Sequence, residues 1–485
     1  MGVLFALLLP SWDRAPLTLQ EMRLKLLTLS LGVVLAASQP PSPSCQAGLD
    51  AVCNANTACV EANRKGDFAL PLVARLDLAS KSTATKAWRC YSPSSLSADL
   101  AHYTGGKAYC SGPGAVLESA LALCESGAKL AVLNATAIWS SAETKRCGDI
   151  RTPQLVATAG PVGKVLLFAQ CREAVLIIAA GGGDGSSNSS SALGDNFVRS
   201  RMVVKESLDW GASWGVMRFV TGADTGVGVA TLDRTTGALV LQYQIMPVPT
   251  DPYRGNTLLQ VVSADEGATW SAPRDITPQI AHCNNNPASS EMMCGGAGSR
   301  IQTASGRLIF SGHNKDSVCV WFSDDHGATY QTMTSEPFVG NEQSIAQLGD
   351  GSLYMNGRGT QFAWRGNRTE YRSVDNGATW SAGAASQLTD VECEAALIAV
   401  KSSSAGAKDG TALFFSEPTG PGRISNRLHC SCDGGVSWPA SVVVNPGAPA
   451  AYSSLLAAKG KLLAVWEARP GMWGHIFNVD WCPCA

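Results

Sequence analysis

The sequence predicts an all-β fold, a six-bladed β-propeller over about residues 147–485. A motif with the pattern S-x-D-x-G-x-[ST]-[WY] occurs five times in the C-terminal two-thirds of the chain. The aspartates of the five copies are spaced 50 to 60 residues apart. They are Asp209, Asp265, Asp325, Asp375 and Asp433. A period of this length indicates repeated supersecondary units, and a strand-turn-strand unit is typical of a propeller blade.

Each copy of the motif has the composition of a tight turn that leads into a strand. An Asp side chain accepts hydrogen bonds from nearby backbone N–H groups, and Gly adopts the positive φ that such turns need. The aromatic residue that ends the motif enters the next strand, where it can bury a large apolar area. We therefore interpret the five aspartates as turn caps, not as catalytic carboxylates.

Short runs rich in β-branched and aromatic residues follow one another from about residue 147, and Gly, Asn and Asp separate them. At 50 to 60 residues per unit, this part of the chain is long enough for six blades. Five blades carry the motif. We expect the sixth to be completed by strands from both ends of the domain.

Composition excludes several classes of function. Lys and Arg number 37 against 39 Asp and Glu, which gives a net charge of −2. This balance does not favour nucleic acid or an anionic membrane surface as a partner. The 49 glycines and the low charged fraction of 16% suit a turn-rich, all-β fold.

Residues 1–38 have the layout of a secretory signal peptide, with a possible start at Met22. A basic start over residues 22–25 precedes an apolar run over residues 26–37, which is short for a membrane span. Residues 39–44 form a Pro/Ser-rich linker. We expect a secreted protein, or one in the lysosomal or endomembrane lumen. A retained N-terminal anchor is the alternative.

The 16 cysteines fit an oxidising compartment. Seven of them lie between Cys45 and Cys147, so we interpret residues 45–146 as a small disulfide-stapled domain of unknown role. Pairing cannot be deduced from spacing, but C-S-C at 430–432 and C-P-C at 482–484 have the appearance of disulfide partners rather than metal ligands. Glycosylation acceptor sequences occur at Asn134, Asn188 and Asn367.

Several further stretches contain polar residues that the motif does not explain. Arg151 lies in I-R-T-P, Arg172 closes L-F-A-Q-C-R, and Asp195 opens D-N-F-V ahead of the first motif copy. Glu342 lies in N-E-Q-S-I-A-Q-L-G-D-G-S, and Arg358 closes the N-G-R that follows.

Three more such stretches lie nearer the C-terminus. Arg423 opens R-I-S-N after F-F-S-E-P, Tyr452 opens Y-S-S-L, and Glu467 closes V-W-E.

In this order and with these neighbours, the stretches resemble those of exo-α-sialidases, the neuraminidases of glycoside hydrolase family 33, especially the animal lysosomal type. The repeated motif is similar to the Asp-box, or BNR repeat, of that family. The resemblance covers roughly residues 147–481. It departs from the family at Thr152, Gln170 and Tyr330, where the family has Ile, Glu and Trp.

The resemblance implies a role for each residue. Tyr452 would be the nucleophile, Glu342 the group that takes its proton, and Asp195 the acid/base. Substrate would be bound by Arg151, Arg358 and Arg423, which grip its carboxylate, together with Arg172 and Glu467, the latter orienting Arg151.

The chemistry of sialic acid explains this combination of residue types. Its carboxylate sits directly on the anomeric carbon and would repel an Asp or Glu nucleophile. A neutral phenol whose proton passes to a nearby Glu avoids that repulsion. Three guanidinium groups stay charged and offer paired donors to the carboxylate.

Alternatives remain for two assignments. Asp184 competes with Asp195, which stands beside an insertion and one residue further from its box than the family pattern. Glu392 and Glu394 compete with Glu342, although no N-x-R follows them at the right distance.

The leading hypothesis is a retaining exo-α-sialidase acting on sialylated glycoconjugates: glycoproteins, gangliosides or oligosaccharides. We expect no cofactor, metal or nucleic-acid partner. A trans-sialidase, or an enzyme that prefers a deaminated nonulosonic acid, is a second hypothesis. A catalytically inactive propeller that binds sialoglycans as a lectin is a third.

Overall fold

The computed structural model describes residues 136–485 apart from short gaps, together with three short strands nearer the N-terminus. The gaps are residues 160–162, 174–199, 246–256, 284–292, 295–297, 315–316, 334–337, 360–365, 420–422, 459 and 469–470. The predicted signal peptide, the linker, most of the Cys-rich region and the acceptors Asn134 and Asn188 lie outside the described residues. So do Asp184 and Asp195.

Four short strands and one helix precede the first full sheet. The strands are β1 (Arg89–Tyr91), β2 (Tyr109–Ser111), β3 (Lys129–Ala131) and β4 (Thr136–Ala137), and the helix is α1 (Ser141–Cys147). β1 and β2 form an antiparallel pair. Helix α1 begins with a capping box, because Ser140 and Glu143 each accept a hydrogen bond from the other's backbone N–H group.

The first three blades follow in chain order. Blade 1 consists of β5 (Asp149–Ala157), β6 (Val165–Arg172), β7 (Ser200–Ser207) and β8 (Arg218–Phe219). Blade 2 consists of β9 (Thr225–Leu232), β10 (Leu239–Ile245), β11 (Leu258–Ser263) and β12 (Arg274–Asp275). Blade 3 consists of β13 (Met293–Cys294), β14 (Arg300–Gln302), β15 (Leu308–Asn314), β16 (Ser317–Ser323), β17 (Gln331–Thr332) and β18 (Phe338–Val339). A 3₁₀ segment at Thr277–Cys283 separates blades 2 and 3.

The last two of the remaining three blades each add a strand from the N-terminal side of the domain. Blade 4 consists of β19 (Gln343–Gln347), β20 (Leu353–Gly357), β21 (Asn367–Ser373) and β22 (Ala384–Thr389). Blade 5 consists of β23 (Ala396–Lys401), β24 (Thr411–Thr419), β25 (Ile424–Ser431) and β26 (Ala440–Pro449), with β3 added in parallel at its edge and a 3₁₀ turn at Lys408–Gly410. Blade 6 consists of β27 (Ser453–Ala458), β28 (Lys461–Glu467), β29 (Met472–Asn478) and β4.

The six sheets close into a ring. Their inner strands touch in cyclic order, from β5 through β9, β14, β19, β23 and β27 back to β5. This arrangement confirms the predicted six-bladed propeller, including a sixth blade that lacks the motif and is completed from both ends of the domain. Because β4 belongs to blade 6, the propeller extends N-terminal to the predicted boundary at residue 147.

Apolar side chains from neighbouring blades form the core between them. Leu166 and Phe168 of blade 1 are fully buried in one cluster with Leu239 and Leu241 of blade 2. Both faces of a blade are covered by its neighbours, so β6, the second strand of blade 1, is buried along almost its whole length. Strict alternation of apolar and polar residues is therefore absent from β6.

The repeated motif forms the same hydrogen-bonded turn in every copy. In the second copy, the Asp265 carboxylate accepts the backbone N–H of Thr269 at 2.8 Å and the hydroxyl of Ser263 at 2.8 Å. The Ser263 hydroxyl oxygen in turn accepts the N–H of Gly267. Positive φ is required at Glu266 as well as at Gly267, with angles of 55° and 83°. The equivalent Ser–Asp–Ser/Thr bonds occur in the other four copies.

Arginines tie these turns to the preceding blade. The Arg218 guanidinium of blade 1 donates to the Gly267 carbonyl of blade 2, and Arg372 of blade 4 donates to the Gly434 carbonyl of blade 5. Blades 2 and 3 use Arg274 and Arg307 in the same way, on the turns of blades 3 and 4. The motif therefore stabilises contacts between blades as well as its own turn.

We expect Asp265→Ala to lower the melting temperature without disturbing the centre of the ring. Hydrogen bonds, first from Thr269 and then from Ser263, lower the pKa of Asp265 from 3.8 to about 2. A lowered folded pKa means that the stabilisation is complete above pH 3.8 and is lost as pH falls towards 2. The melting-temperature difference between parent and variant should thus be largest above pH 4 and vanish near pH 2 in a thermal-denaturation series.

The control is Asp480→Ala, which removes an exposed acid outside the motif. A uniform deficit for Asp265→Ala across this pH range, or an equal deficit in the control, would contradict the role as a turn cap.

Four disulfides lie in the described residues: Cys147–Cys171, Cys283–Cys319, Cys430–Cys482 and Cys432–Cys484. The predicted partnership of the C-S-C and C-P-C stretches is thus seen, with the C-terminal tail bound to β25. Cys147, which the sequence grouped with the N-terminal cysteines, instead pairs from the end of α1 with Cys171 of blade 1. Cys393 is a free cysteine, and it is buried.

Within the described part of the chain, none of the helices is long and apolar enough to cross a membrane. The predicted leader, including the alternative N-terminal anchor, lies outside that part. The third acceptor, Asn367, is exposed at the start of β21.

Candidate active site

Six of the eight residues singled out by the sequence resemblance lie in or next to strands of four blades. Glu342 directly precedes β19, and Arg358 directly follows β20. Tyr452 directly precedes β27, and Glu467 ends β28. Arg423 precedes β25, and Arg151 lies in β5. Blades 1, 4, 5 and 6 thus supply one cluster.

Strand pairing sets two of these residues directly across from two others. In blade 4, the Arg358 N–H donates to the Glu342 carbonyl at 2.9 Å. In blade 6, the Glu467 N–H donates to the Tyr452 carbonyl at 2.9 Å. Neighbours across an antiparallel pair project to the same face, so each hairpin delivers two functional side chains together.

A hydrogen-bonded chain joins the nucleophile candidate to its partners. The Tyr452 hydroxyl donates to Glu342 Oε1, and Arg358 Nη1 donates to Glu342 Oε2 at 2.9 Å. Glu342 is only 6% exposed. The two oxygens of one buried carboxylate therefore serve a phenol and a guanidinium at the same time.

Arg151 is held by Glu467 across the point where the ring closes. Its Nε and Nη2 atoms donate to the Glu467 carboxylate at 3.2 Å, and the Thr152 N–H donates to Glu467 Oε1 at 2.7 Å. Thr152 has a φ of 57°, at an irregularity in the pairing of β5 with β6. Paired donors of this kind fix a guanidinium in direction as well as in charge.

Two guanidinium groups flank the tyrosine ring. The Cζ atom of Arg151 lies 5.0 Å from the centroid of the Tyr452 ring, and that of Arg423 lies 5.6 Å from it. Arg423 Nη2 also donates to the Glu392 carbonyl at 2.6 Å. With Arg358 bound to the carboxylate that Tyr452 contacts, all three predicted arginines surround one phenol.

The charges of the cluster determine where the proton rests. Burial raises the pKa of Tyr452 well above its usual value, and Glu342 adds to this effect, while Arg358, Arg423 and Arg151 oppose it. In the resting site Tyr452 is therefore a neutral phenol.

Glu342 accepts the hydrogen bond of this phenol. Burial favours its protonated form, but Arg358 and then His313 outweigh that effect and hold its pKa below 4.5. The same ion pair raises the pKa of Arg358 against the opposing effect of burial. Glu342 is thus ionised at neutral pH and accepts the phenol's hydrogen bond.

The backbone around the cluster is strained. Thr152, Glu392, Arg423 and Ser425 have φ angles between 54° and 57°, although none of them is glycine. Such conformations cost on the order of 1–3 kcal/mol each and concentrate at functional sites. They direct the Arg423 side chain and the Glu392 carbonyl towards each other.

The remaining predicted residues are placed differently. Arg172 ends β6, and its Nε atom donates to Gln170 Oε1 at 3.0 Å; Gln170 is the cross-strand partner of Arg151. Arg172 thus contacts the residue that pairs with Arg151. Asp195 and its competitor Asp184 lie outside the described residues, so their assignment stays a prediction.

Comparison with known proteins places the chain in a family. The BNR repeat-like domain family matches residues 194–465, more than half of the chain. The chain belongs to the BNR repeat-like domain family.

Curated relatives of this BNR repeat-like protein are sialidases. The sialidase of Micromonospora viridifaciens is 28% identical over 307 residues, which cover 57% of this chain and 46% of the relative. The sialidase of Bacteroides fragilis is 32% identical over 193 residues, which cover 37% of this chain and 33% of the relative. The match therefore spans about half or less of the length of these relatives.

Solved structures support the fold. A Hadza microbial sialidase aligns with a TM-score of 0.58 at 23% identity, covering 71% of this chain and 68% of that protein. A leech intramolecular trans-sialidase aligns with a TM-score of 0.57 at 15% identity, covering 72% and 71%. These findings confirm the resemblance to sialidases, while the closer likeness to the animal lysosomal type stays a prediction.

One buried acid of the BNR repeat-like protein, Glu394, is predicted by the sequence only as an alternative to Glu342. Glu394 is 1% exposed and lies beside the cluster, where burial and then the charge of Glu342 raise its pKa to about 8. The sequence signal was a charged residue two positions before the apolar strand β23, in E-C-E-A-A-L. The geometry does not support Glu394 as the partner of Tyr452, since the Tyr452 hydroxyl donates to Glu342.

Proposed function

We propose that this chain is a retaining exo-α-sialidase that removes terminal α-linked sialic acids from glycoconjugates. The observation that carries the proposal is the hydrogen bond from the Tyr452 hydroxyl to Glu342 inside a ring of three arginines. A neutral phenol with its own proton acceptor, surrounded by cations, suits attack on an anomeric carbon that carries a carboxylate.

The arginines would bind the substrate before any bond breaks. Arg151, Arg358 and Arg423 stay charged at all relevant pH values and supply paired N–H donors to the sialic acid carboxylate. Glu467 fixes the direction of the Arg151 guanidinium. Such an arrangement would select an anionic sugar and would bring its anomeric carbon near the Tyr452 hydroxyl.

Two steps would then follow. In the first step the Tyr452 oxygen bonds to the anomeric carbon and passes its proton to Glu342, while the glycosidic C–O bond breaks and its leaving oxygen takes a proton from Asp195. In the second step Asp195 removes a proton from water and the water oxygen bonds to the anomeric carbon. The bond between that carbon and the Tyr452 oxygen breaks, and the phenol recovers its proton from Glu342. Two displacements on one carbon retain its configuration.

A fluorogenic α-sialoside assay on the purified protein tests the proposal. Release of the fluorophore, with free sialic acid appearing first as its α-anomer in NMR spectra, is the expected result. Binding of a sialic-acid analogue without any release would instead indicate the lectin alternative. Transfer of sialic acid to lactose, or an anhydro product, would indicate a trans-sialidase, and release only from a deaminated nonulosonic acid substrate would indicate that preference.

We expect Arg423→Ala, Arg151→Ala and Arg358→Ala each to weaken binding of a sialic-acid analogue by roughly 1.5–3 kcal/mol, the scale of a hydrogen bond to a charged group. The reason is that each variant removes one donor from a shared carboxylate site. Isothermal titration calorimetry at fixed ionic strength measures the effect.

Arg372→Ala is the matched control, because Arg372 binds a carbonyl at a motif turn in blade 5 rather than the centre of the ring. Unchanged affinity in the three variants of the central arginines would exclude a common carboxylate site.

We also propose a substrate class and a cellular compartment for this protein. Sialylated glycoproteins, gangliosides and oligosaccharides are the substrate class that the proposed chemistry implies. Four disulfides in the described residues support an oxidising compartment, outside the cell or in the endomembrane or lysosomal lumen. Mass spectrometry of the protein from its native source, with and without reduction, tests this placement.

A further inference from the structure

Residues 390–395, between β22 and β23, connect several parts of the candidate site. The Glu392 carbonyl accepts from Arg423, and the Asp390 carboxylate accepts the N–H of Gly359, next to Arg358. The Ala395 carbonyl accepts the Ser344 hydroxyl, at the start of the strand that follows Glu342. This segment is therefore bound to the backbone or side chains of blades 4 and 5 at their site ends.

Glu394 extends the same set of contacts to the nucleophile. Its Oε2 atom accepts the backbone N–H of Ser453 at 3.1 Å, and Ser453 directly follows Tyr452. The Ser453 hydroxyl donates to the Ser416 carbonyl, so the start of β27 is held on two sides. The position of the Tyr452 backbone thus depends on the Glu394 side chain.

The surroundings of Glu394 disfavour a negative charge. Its Oε1 atom is buried and has no hydrogen-bond donor among the described residues. In the same part of the chain no cation lies within ion-pair distance of it, whereas Glu342 and Glu467 each pair with an arginine. A buried carboxylate oxygen without a donor is strongly destabilising.

The charged and titratable groups that face Glu394 come from every neighbouring strand. They are Glu342, Glu467, Arg368, Arg300 and Cys393. Two of them, Glu467 and Glu342, are carboxylates that each pair with an arginine of their own. Arg368 is engaged with Asp390 and the Cys393 carbonyl, and Arg300 with the carbonyls of neighbouring strands.

We propose that Glu394 is a positioning residue that holds Tyr452 through the Ser453 amide as a neutral carboxylic acid, and that its ionisation sets the alkaline limit of catalysis. This inference rests on the proposed sialidase function. It assigns the acid a second effect, because an ionised Glu394 adds a third carboxylate beside the site that must receive the substrate carboxylate.

Two physical consequences distinguish this role from a purely structural one. Burial and the charge of Glu342 raise the pKa of Glu394 to about 8, so ionisation falls within an accessible pH range. Above that pH, repulsion opposes both substrate binding and negative charge on the Tyr452 oxygen. Below it, Glu394 adds no charge to the paired carboxylates Glu342 and Glu467.

The test compares the pH profile of kcat/KM for the parent with that of Glu394→Gln. Gln keeps the acceptor for the Ser453 N–H group and cannot ionise. We expect Glu394→Gln to retain activity within about threefold at acidic pH and to move the alkaline limb upward by about one pH unit or more. Glu394→Ala, which lacks the acceptor, should lose about tenfold or more at every pH.

Glu370→Gln is the control. Glu370 is another partly buried acid with a raised pKa, but it accepts from Tyr354 in blade 4. Its variant should leave the alkaline limb unchanged. An alkaline limb that stays in place in Glu394→Gln would overturn the proposal, and so would a loss above 100-fold at all pH values, which would make Glu394 a catalytic acid or base.

A stability measurement separates this inference from the proposed function. A raised folded pKa means that the parent loses stability relative to Glu394→Gln as pH rises from about 4.5 towards 8. The melting temperature of the variant should therefore exceed that of the parent increasingly over this range, even in a protein without sialidase activity. A constant difference would overturn the neutral acid, whatever the assay shows.

Discussion

Tyr452→Phe is expected to lower kcat on an α-linked sialyllactose by at least ~10³-fold, which corresponds to about 4 kcal/mol. The variant lacks the oxygen that we propose bonds to the anomeric carbon, while the aromatic ring beside Arg151 and Arg423 remains. Affinity for a sialic-acid analogue should therefore be largely retained. Steady-state kinetics and calorimetry on the same preparation measure the two effects.

The chain offers a matched control for this substitution. Tyr354 is a fully buried tyrosine whose hydroxyl donates to Glu370 at 3.0 Å, away from the central cluster. Tyr354→Phe removes the same atom from another Tyr–Glu pair and should leave kcat nearly unchanged. Equal turnover by Tyr452→Phe and the parent, with both folded, would remove Tyr452 from the reaction.

The blade count could be predicted because the motif is a local structure. The hydrogen bonds of Asp265 and its equivalents in this turn join residues at most four positions apart. The spacing of residues in the sequence is therefore enough to predict the turn. The closure of the ring depends on pairing between β4 and β29, which are more than 300 residues apart. A strand of two residues has no sequence pattern that predicts its pairing partner. The predicted domain boundary at residue 147 therefore lies C-terminal to β4, which belongs to the propeller.

The sequence also does not predict which blades pack together in the core or which cysteine pairs with Cys147. Inner strands are buried on both faces, so their apolar runs indicate strands without indicating which blade lies beside them. Cys147 stands near the N-terminal cysteines in sequence, but the pairing of Ile150 with Cys171 brings β6 past it. The guanidinium contacts to neighbouring turns, such as Arg274 to Gly327, involve residues that look like ordinary surface arginines in sequence.

The resemblance to sialidases identified most residues of the candidate site. Burial and hydrogen bonding in the structure identified one more. Likeness in order and neighbours pointed to Tyr452, Glu342 and the three arginines, which the structure brings into one cluster. Glu394 had no motif role, and its importance arises from burial and from its bond to Ser453. A charge state set by surroundings is not visible in a single sequence.

The site also explains why ring closure matters for function. Glu467 of blade 6 binds both the Arg151 side chain and the Thr152 N–H group of blade 1. These bonds join the last blade to the first at the same place where substrate would be held. Any opening between blades 6 and 1 would therefore separate Arg151 from Tyr452.

Glu342→Gln is expected to lower kcat by roughly 10²–10⁴-fold, the range for loss of a proton-transfer partner. The introduced amide would still accept a hydrogen bond from the phenol but would not take its proton. The parent should also show an acid limb from this group. Burial raises the pKa of Glu342, but Arg358 and then His313 more than offset that effect and hold it below 4.5, so the active, ionised form is lost only as pH falls below that value.

Kinetic measurement from acidic to neutral pH tests both parts. The acid limb of kcat assigned to Glu342 should disappear in Glu342→Gln, while Glu370→Gln should keep the parent's profile. Binding of a sialic-acid analogue should change little in Glu342→Gln, because Arg358 keeps its charge when its carboxylate partner is neutralised. A Glu342→Gln variant with turnover within tenfold of the parent would show that another group receives the phenol's proton. Glu394, bound to the neighbouring amide, would then be the first residue to examine.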